Sequence, residues 1–316
     1  MTVRGASRLD RPTDAETQHP GLHAPFRSPR PTCLAMLTDA QRRQWSHDGY
    51  LVLPDFKSAA ELQALADRAR ALVDAFEPAD RSAGFSTVEP SRLGDEALLA
   101  SADQAHCFFE EEAFDASGRL RQAKALSINK IGHALHDRDP VFDAFSRDPR
   151  LAELVGDLGL RDPKIWQSML IFKQPGIGGE VRWHQDATYL ITEPMSVVGL
   201  WFALEDADRD NGCLWLEPGG HRGPLRERFV REAPGSRQLH LERLDDTPWP
   251  DAQRSIPVEV KAGALVAFHG LLPHYSAPNR SPRSRLAYTL HVTDGTTAWS
   301  PLNWLQRPAG FPVRGF

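Results

Sequence analysis

Hydrophobic positions fall into two textures along this chain. In SAAELQALADRARALVDAF, residues 58–76, Leu62, Leu65, Ala66, Ala69 and Val73 recur at helical spacing, so one face of a long helix must pack on something large. Shorter helices are predicted near Pro140–Phe145 and Pro149–Leu158, and Thr38 with Gln41 three residues on reads as a helix cap where the folded part begins. From Lys164 the texture changes to short runs rich in β-branched and aromatic residues: IWQSMLIFK, VRWHQD, SVVGLWFAL, GCLWLEP, SIPVEV, ALVAFH and RLAYTLHV. Gly and Pro turns separate them. That rhythm predicts a mainly β fold, an antiparallel sandwich or open barrel with flanking α-helices covering one sheet.

Three stretches break the rhythm. Residues 1–35 lack apolar periodicity and read as a loose arm, leaving 36–316 as a single domain with a helical N-terminal part, 36–160, and a β core, 164–293. The segment 222–253 is long, highly charged and punctuated by Pro and Gly, which suits either a solvated loop or a lid. The polar segment 84–105 carries the same two readings.

Within VRWHQDATYL, residues 181–190, a histidine and an aspartate stand two positions apart among apolar and aromatic neighbours. On a strand His184 and Asp186 share one face and Gln185 takes the other. Burying such a pair is costly unless an ion, a salt-bridge partner or solvent accompanies it. FHGLLPHYSAPN supplies His269 and His274 after a strong strand candidate, and a two-histidine, one-carboxylate set leaves three positions of an octahedral ion open. Arg285 opens an apolar strand, where its fork can grip a carboxylate through two parallel bonds, or it is a solvated arginine of a basic turn alongside Arg280 and Arg283. His269 is assigned to a turn or a supporting position, and His221, His133 and His136 to local structure. Trp183 and Tyr189 suit either the site's mouth or the core, and the acidic run at 110–112 reads as solvated charge.

Composition narrows the classes. With 316 residues, 41% hydrophobic and 25% charged, the chain can bury a sizeable core. Its net charge of −5, with both signs interspersed, argues against a nucleic-acid surface. Cys33, Cys107 and Cys213 are too scattered for a zinc knuckle or a disulfide scaffold. Neither a membrane span nor a secretory leader is apparent, so a cytoplasmic location is expected, with the oligomeric state open.

HQDATYL, LWFALEDADRDNGCLWLEPGGH, FHGLLPHYSAPN and SRLAYTLH together resemble the phytanoyl-CoA dioxygenase family of Fe(II)/2-oxoglutarate oxygenases. With KALSINKIGHALHDRDPVF and TTAWSPLNWL the chain is similar to the branch called phytanoyl-CoA dioxygenase domain-containing proteins, over roughly residues 38–306. The resemblance implies a double-stranded β-helix, or jelly roll, closed on one side by N-terminal helices. It puts the metal on His184, Asp186 and His274. The cosubstrate arginine falls on Arg285, eleven positions beyond His274, with Ser276 assisting, and Lys130, Met169 and Trp201 surround 2-oxoglutarate. For Lys130 a snorkelling role is the rival reading. Asp186 occupies the position that halogenating relatives leave open, so halogenation is disfavoured, while Gly220 departs from the family's Ser or Thr in a turn. The implied activity uses Fe(II), 2-oxoglutarate and O2 to hydroxylate a small organic substrate, releasing succinate and CO2. The alternative is a non-catalytic metal-binding jelly roll that binds a small ligand.

Overall fold

Two capping boxes start the first helices. Thr38 and Ser58 each accept from the backbone N–H three residues on, while the Gln41 and Glu61 side chains accept from the cap's own N–H. They open α1 (Asp39–Asp48) and α2 (Ala59–Ala75). In this computed structural model the described residues are 36–77, 84–85 and 95–316, with residues 84, 85 and 95 in backbone only. The expected arm, 1–35, and residues 86–94 of the polar segment lie outside them. Further helices are α3 (Asp95–Ala100), α4 (Leu135–Arg138), α5 (Pro140–Ser146) and α6 (Pro149–Asp157).

The strands run β1 (Tyr50–Leu53), β2 (Gly84–Phe85), β3 (Ala105–Glu110), β4 (Ile128–His133), β5 (Pro163–Lys173), β6 (Val181–His184), β7 (Thr192–Glu193) and β8 (Val198–Ala203). They continue as β9 (Leu214–Leu216), β10 (Glu227–Arg231), β11 (Leu239–Arg243), β12 (Ile256–Val258), β13 (Leu265–His269), β14 (His274–Ser276), β15 (Arg285–Asp294) and β16 (Ala298–Trp299). One sheet has the order β1-β13-β8-β15-β5-β4-β3-β2, and the smaller one β12-β9-β14-β6. This is a double-stranded β-helix, and its pairs are antiparallel apart from β2 with β3.

Period-two alternation sorts the large sheet's side chains. Leu200, Phe202, Tyr288 and Leu290 face outward into one core with Leu62 and Leu65 of α2 and Leu151, Leu154 and Val155 of α6. Their neighbours Trp201, Ala203, Val266, Phe268 and Ala287 face inward and meet Leu214 and Leu216 of the small sheet. The helices therefore cover one face and leave the inner face for a site.

The part expected to be helical, 36–160, also contributes β1, β3 and β4 to the large sheet. In β3 and β4 the alternation is hidden because consecutive residues such as Phe108 and Phe109 are both buried, whereas β1 alternates half-buried with buried but is apolar at all four positions, so its hydropathy shows no period. Segment 222–253 contains the β10–β11 hairpin, paired from Glu227 with Arg243 to Arg231 with Leu239. Among the described residues no helix is long and apolar enough to cross a membrane.

Leu154 is fully buried where α6 meets the sheet. Leu154→Ala is expected to cost about 2–5 kcal/mol, read as a lower denaturation midpoint, with the inner-face site intact because the cavity opens on the opposite side of the sheet.

Candidate metal centre and active-site pocket

β6 ends at His184, and Gln185 stays extended before a tight turn that begins at Asp186. The regular strand is thus shorter than VRWHQD suggested, yet one extended residue still separates the histidine from the aspartate. β14 lies beside β6 with His274 in register with His184. Ligand atoms of His184, Asp186 and His274 all lie within 4.8 Å of one another, close enough to share one ion. Asp186 Oδ1 is 3.5 Å from His274 Nε2 and 3.9 Å from His184 Nε2.

The donors suit a divalent metal. His184 Nδ1 donates to the Arg182 carbonyl at 2.8 Å and His274 Nδ1 to the Leu272 carbonyl at 3.0 Å, which turns both Nε2 lone pairs inward. Burial, followed by the neighbouring His274, pulls His184 down to about 3, and burial also lowers His274, so the rings are neutral, the form that ligates. Burial pushes Asp186 up, but His291, His274 and His184 together bring it below the usual carboxylate range.

One pocket contains this triad and also Lys130, Met169, Trp201, Ser276 and Arg285. Arg285 is 1% exposed, its guanidinium carbon lies 5.5 Å from the Trp201 ring centre, and its Nε and Nη1 have no hydrogen-bond partner among the described residues. Burial lowers its pKa to about 10, which leaves it charged at neutral pH. Ser276 donates to the Gly212 carbonyl at 2.8 Å. Lys130 is buried with its ammonium 5.2 Å from the Phe108 ring centre, and burial brings it to about 7. Gln185 faces away, bonding Pro224, Arg226 and Leu271 backbone atoms and so anchoring the start of the 222–253 segment. Phe229 and Leu241 of that segment's hairpin line the pocket, and Arg182 is tied to Glu227 at 2.9 Å.

His269 occupies the opposite face of β13 from Phe268, against Trp45 and His221, and His136 is held by Ser168 and Ile165. His133, read as local structure, does line the pocket. So does His291, which sequence reasoning missed: its Nε2 lies 3.2 Å from Asp186 Oδ2. The signal was present, since Arg285, Ala287, Thr289 and His291 are spaced by two along one strand. Gly199 was missed too. A Cβ there would stand 2.6 Å from Asp186 Oδ2 and 2.5 Å from the Phe268 ring, so only glycine lets the carboxylate seat.

The family profile described as phytanoyl-CoA dioxygenase (PhyH) matches residues 45–287. The chain belongs to the phytanoyl-CoA dioxygenase family. Phytanoyl-CoA dioxygenase 1 of Oryza sativa subsp. japonica is 48% identical over 274 residues, covering 86% of this chain and 94% of the rice protein. Phytanoyl-CoA dioxygenase domain-containing protein 1 of Bos taurus is 43% identical over 286 residues, covering 88% and 98%. The crystal structure of EctD from S. alaskensis with 2-oxoglutarate and 5-hydroxyectoine shares the fold, with a TM-score of 0.56 at 21% identity, covering 88% of this chain and 84% of that one. As a phytanoyl-CoA dioxygenase family member with a His-Asp-His site, this chain is a 2-oxoglutarate-dependent non-haem iron dioxygenase.

The acidic run departs from expectation at its first residue. Glu110 is 1% exposed, while Glu111 and Glu112 are solvated; its Oε2 accepts from Asn129 at 2.9 Å and from the Gly179 N–H at 3.1 Å. Asn129 and Gly179 line the pocket, so this acid braces its wall from behind. Burial pushes Glu110 up to about 7, against the opposing bonds from Asn129 and Gly179 and the charge of Lys173.

A folded carboxyl that holds its proton more tightly than the unfolded one contributes stability fully below the ordinary value near 4.5, and loses it as pH rises through about 7. Glu110→Gln should flatten that part of the stability-versus-pH curve, measured by denaturant unfolding in that window. Gly199→Ala should lower divalent-metal affinity on the order of tenfold or more by displacing Asp186, read by titration of the apo-protein.

Proposed function

We propose that this chain hydroxylates a small organic molecule, with His184, Asp186 and His274 holding Fe(II) and Arg285 gripping the far carboxylate of 2-oxoglutarate. Succinate and CO2 are the coproducts and O2 the second cosubstrate. The observation that carries the reading is Arg285, a buried cation in the pocket that holds the triad, whose Nε and Nη1 lack partners among the described residues. A charged fork left so in the interior is costly, and a carboxylate entering beside it repays the cost through two charge-assisted bonds. A metal-binding jelly roll without a cosubstrate gives no reason for such a group.

When bound, iron and 2-oxoglutarate supply the oxidising chemistry; the chain's own residues position and shield it. Arg182 and Leu272 carbonyls orient the two imidazoles. Trp201 lies against the guanidinium and Met169 adds apolar wall, which suits the carbon chain of a short diacid. Ser276 has its hydrogen engaged by Gly212, so it meets the Arg285 end as an acceptor for N–H groups unless its hydroxyl turns. Lys130 stands in the same lining as an amine that burial brings to about 7, so it gains its positive charge as pH falls through that value. Phe229 and Leu241 roof the pocket and limit water there.

Calorimetric titration of the metal-loaded protein with 2-oxoglutarate tests the reading. Arg285→Ala should weaken binding roughly 10- to 100-fold while metal binding persists, and His274→Ala should remove most Fe(II) binding. Unchanged 2-oxoglutarate affinity in Arg285→Ala would overturn the assignment.

A further inference from the structure

At the end of the pocket away from Arg285 stand polar atoms that the iron and 2-oxoglutarate reading leaves unused. Arg285 is in register with Lys173 on β5, and Gln167 lies six residues further along that strand, opposite His291. At about 3.3 Å per residue, roughly 20 Å separates the two ends. Gln167 is 5% exposed and lines the pocket, and its side-chain amide has no hydrogen-bond partner among the described residues. Facing the pocket, that amide offers a ligand both a donor and an acceptor.

His133 completes this pole. Ser101 has one hydroxyl hydrogen, which it donates to the Leu98 carbonyl at 2.6 Å, so its oxygen accepts from His133 Nδ1 at 2.7 Å. In the neutral ring Nε2 then carries a lone pair. Burial favours that neutral ring by pushing its pKa well below the ordinary histidine value. Nε2 has no partner among the described residues, and His133 lines the same pocket as Gln167. Apolar surface surrounds the pair: Leu98, Leu190 and Trp304, with Phe229 and Leu241 from the hairpin.

We propose that this pole binds the substrate, and that the substrate is a neutral, largely apolar molecule bearing a hydroxyl or N–H group that donates to His133 Nε2 and bonds the Gln167 amide. The proposal rests on the preceding functional reading, because it takes the Arg285 end to be filled by 2-oxoglutarate. An ionised acid cannot make the His133 contact, since a carboxylate has no hydrogen to give to the lone pair, and its other draw in this lining is the Lys130 and Arg182 side chains.

The experiment uses the full chain loaded anaerobically with Fe(II) and 2-oxoglutarate and titrated calorimetrically with three probes of one body: 3-phenyl-1-propanol, its methyl ether and 3-phenylpropanoate. The alcohol should bind about five- to tenfold more tightly than the ether, which accepts but cannot donate, and more tightly than the acid. His133→Phe should bring alcohol and ether within about twofold of each other. Gln167→Leu, which leaves the triad untouched, should weaken the alcohol severalfold with Fe(II) and 2-oxoglutarate affinities unchanged. Equal binding of alcohol and ether to the wild type, no binding of the alcohol, or a preference that survives both substitutions would overturn the proposal. Failure of the wild type to bind 2-oxoglutarate in the first step would instead sink the functional reading on which it rests.

Discussion

The pairing of β14 with β6 is the constraint from which the site follows. It sets His274 beside His184, ninety residues earlier in the chain, and Asp186 follows after one extended residue. Each imidazole is then oriented by a carbonyl of its own segment, two residues before it, so the backbone that forms the small sheet also aims both rings. A carboxylate and two imidazoles this close are costly to bury together without a cation between them. The large sheet contributes His291 behind the carboxylate and the absence of a side chain at Gly199.

Burial of Arg285 is the second cost that the fold carries. The residue begins β15, a strand packed on both faces, and its cation is only 1% exposed in the pocket wall. Its desolvation is opposed within the protein by the charges of Glu205 and Glu110 and by contact with Trp201. Glu110 in turn bonds Asn129 and the Gly179 turn, so a buried acid links two segments of the pocket wall near the arginine. Function and stability meet in that acid: it braces the wall at the expense of its own ionisation.

The roof is assembled from distant pieces with the same economy. Gln185, adjacent to both the histidine and the aspartate, spends its amide on backbone atoms of Pro224, Arg226 and Leu271. The residue between the two ligands thereby holds the entry to the hairpin segment, and movement of that segment would be felt at the triad. On the other side Ser101, just beyond α3, holds His133, so the polar region before β3 also helps shape the cavity.

Local order was legible in the chain. The α2 stripe, the capping boxes and the alternation of β8, β13 and β15 follow from side-chain periodicity and from cap residues that satisfy their own neighbours, which are interactions within a few residues. His184, Asp186, His274 and Arg285 also stood out in the chain by residue type and context, and the fold brings them into one pocket. β3 and β4 were not legible, since strands buried on both faces show no alternation, nor was β1, whose four residues are all apolar, and Glu110 looked like part of a solvated run because charge says nothing about depth. His291, Gly199 and the roles of His133 and Gln167 belong to the tertiary structure. Each depends on which strand lies alongside and which atom is left without a partner, and those are contacts between residues far apart in the chain.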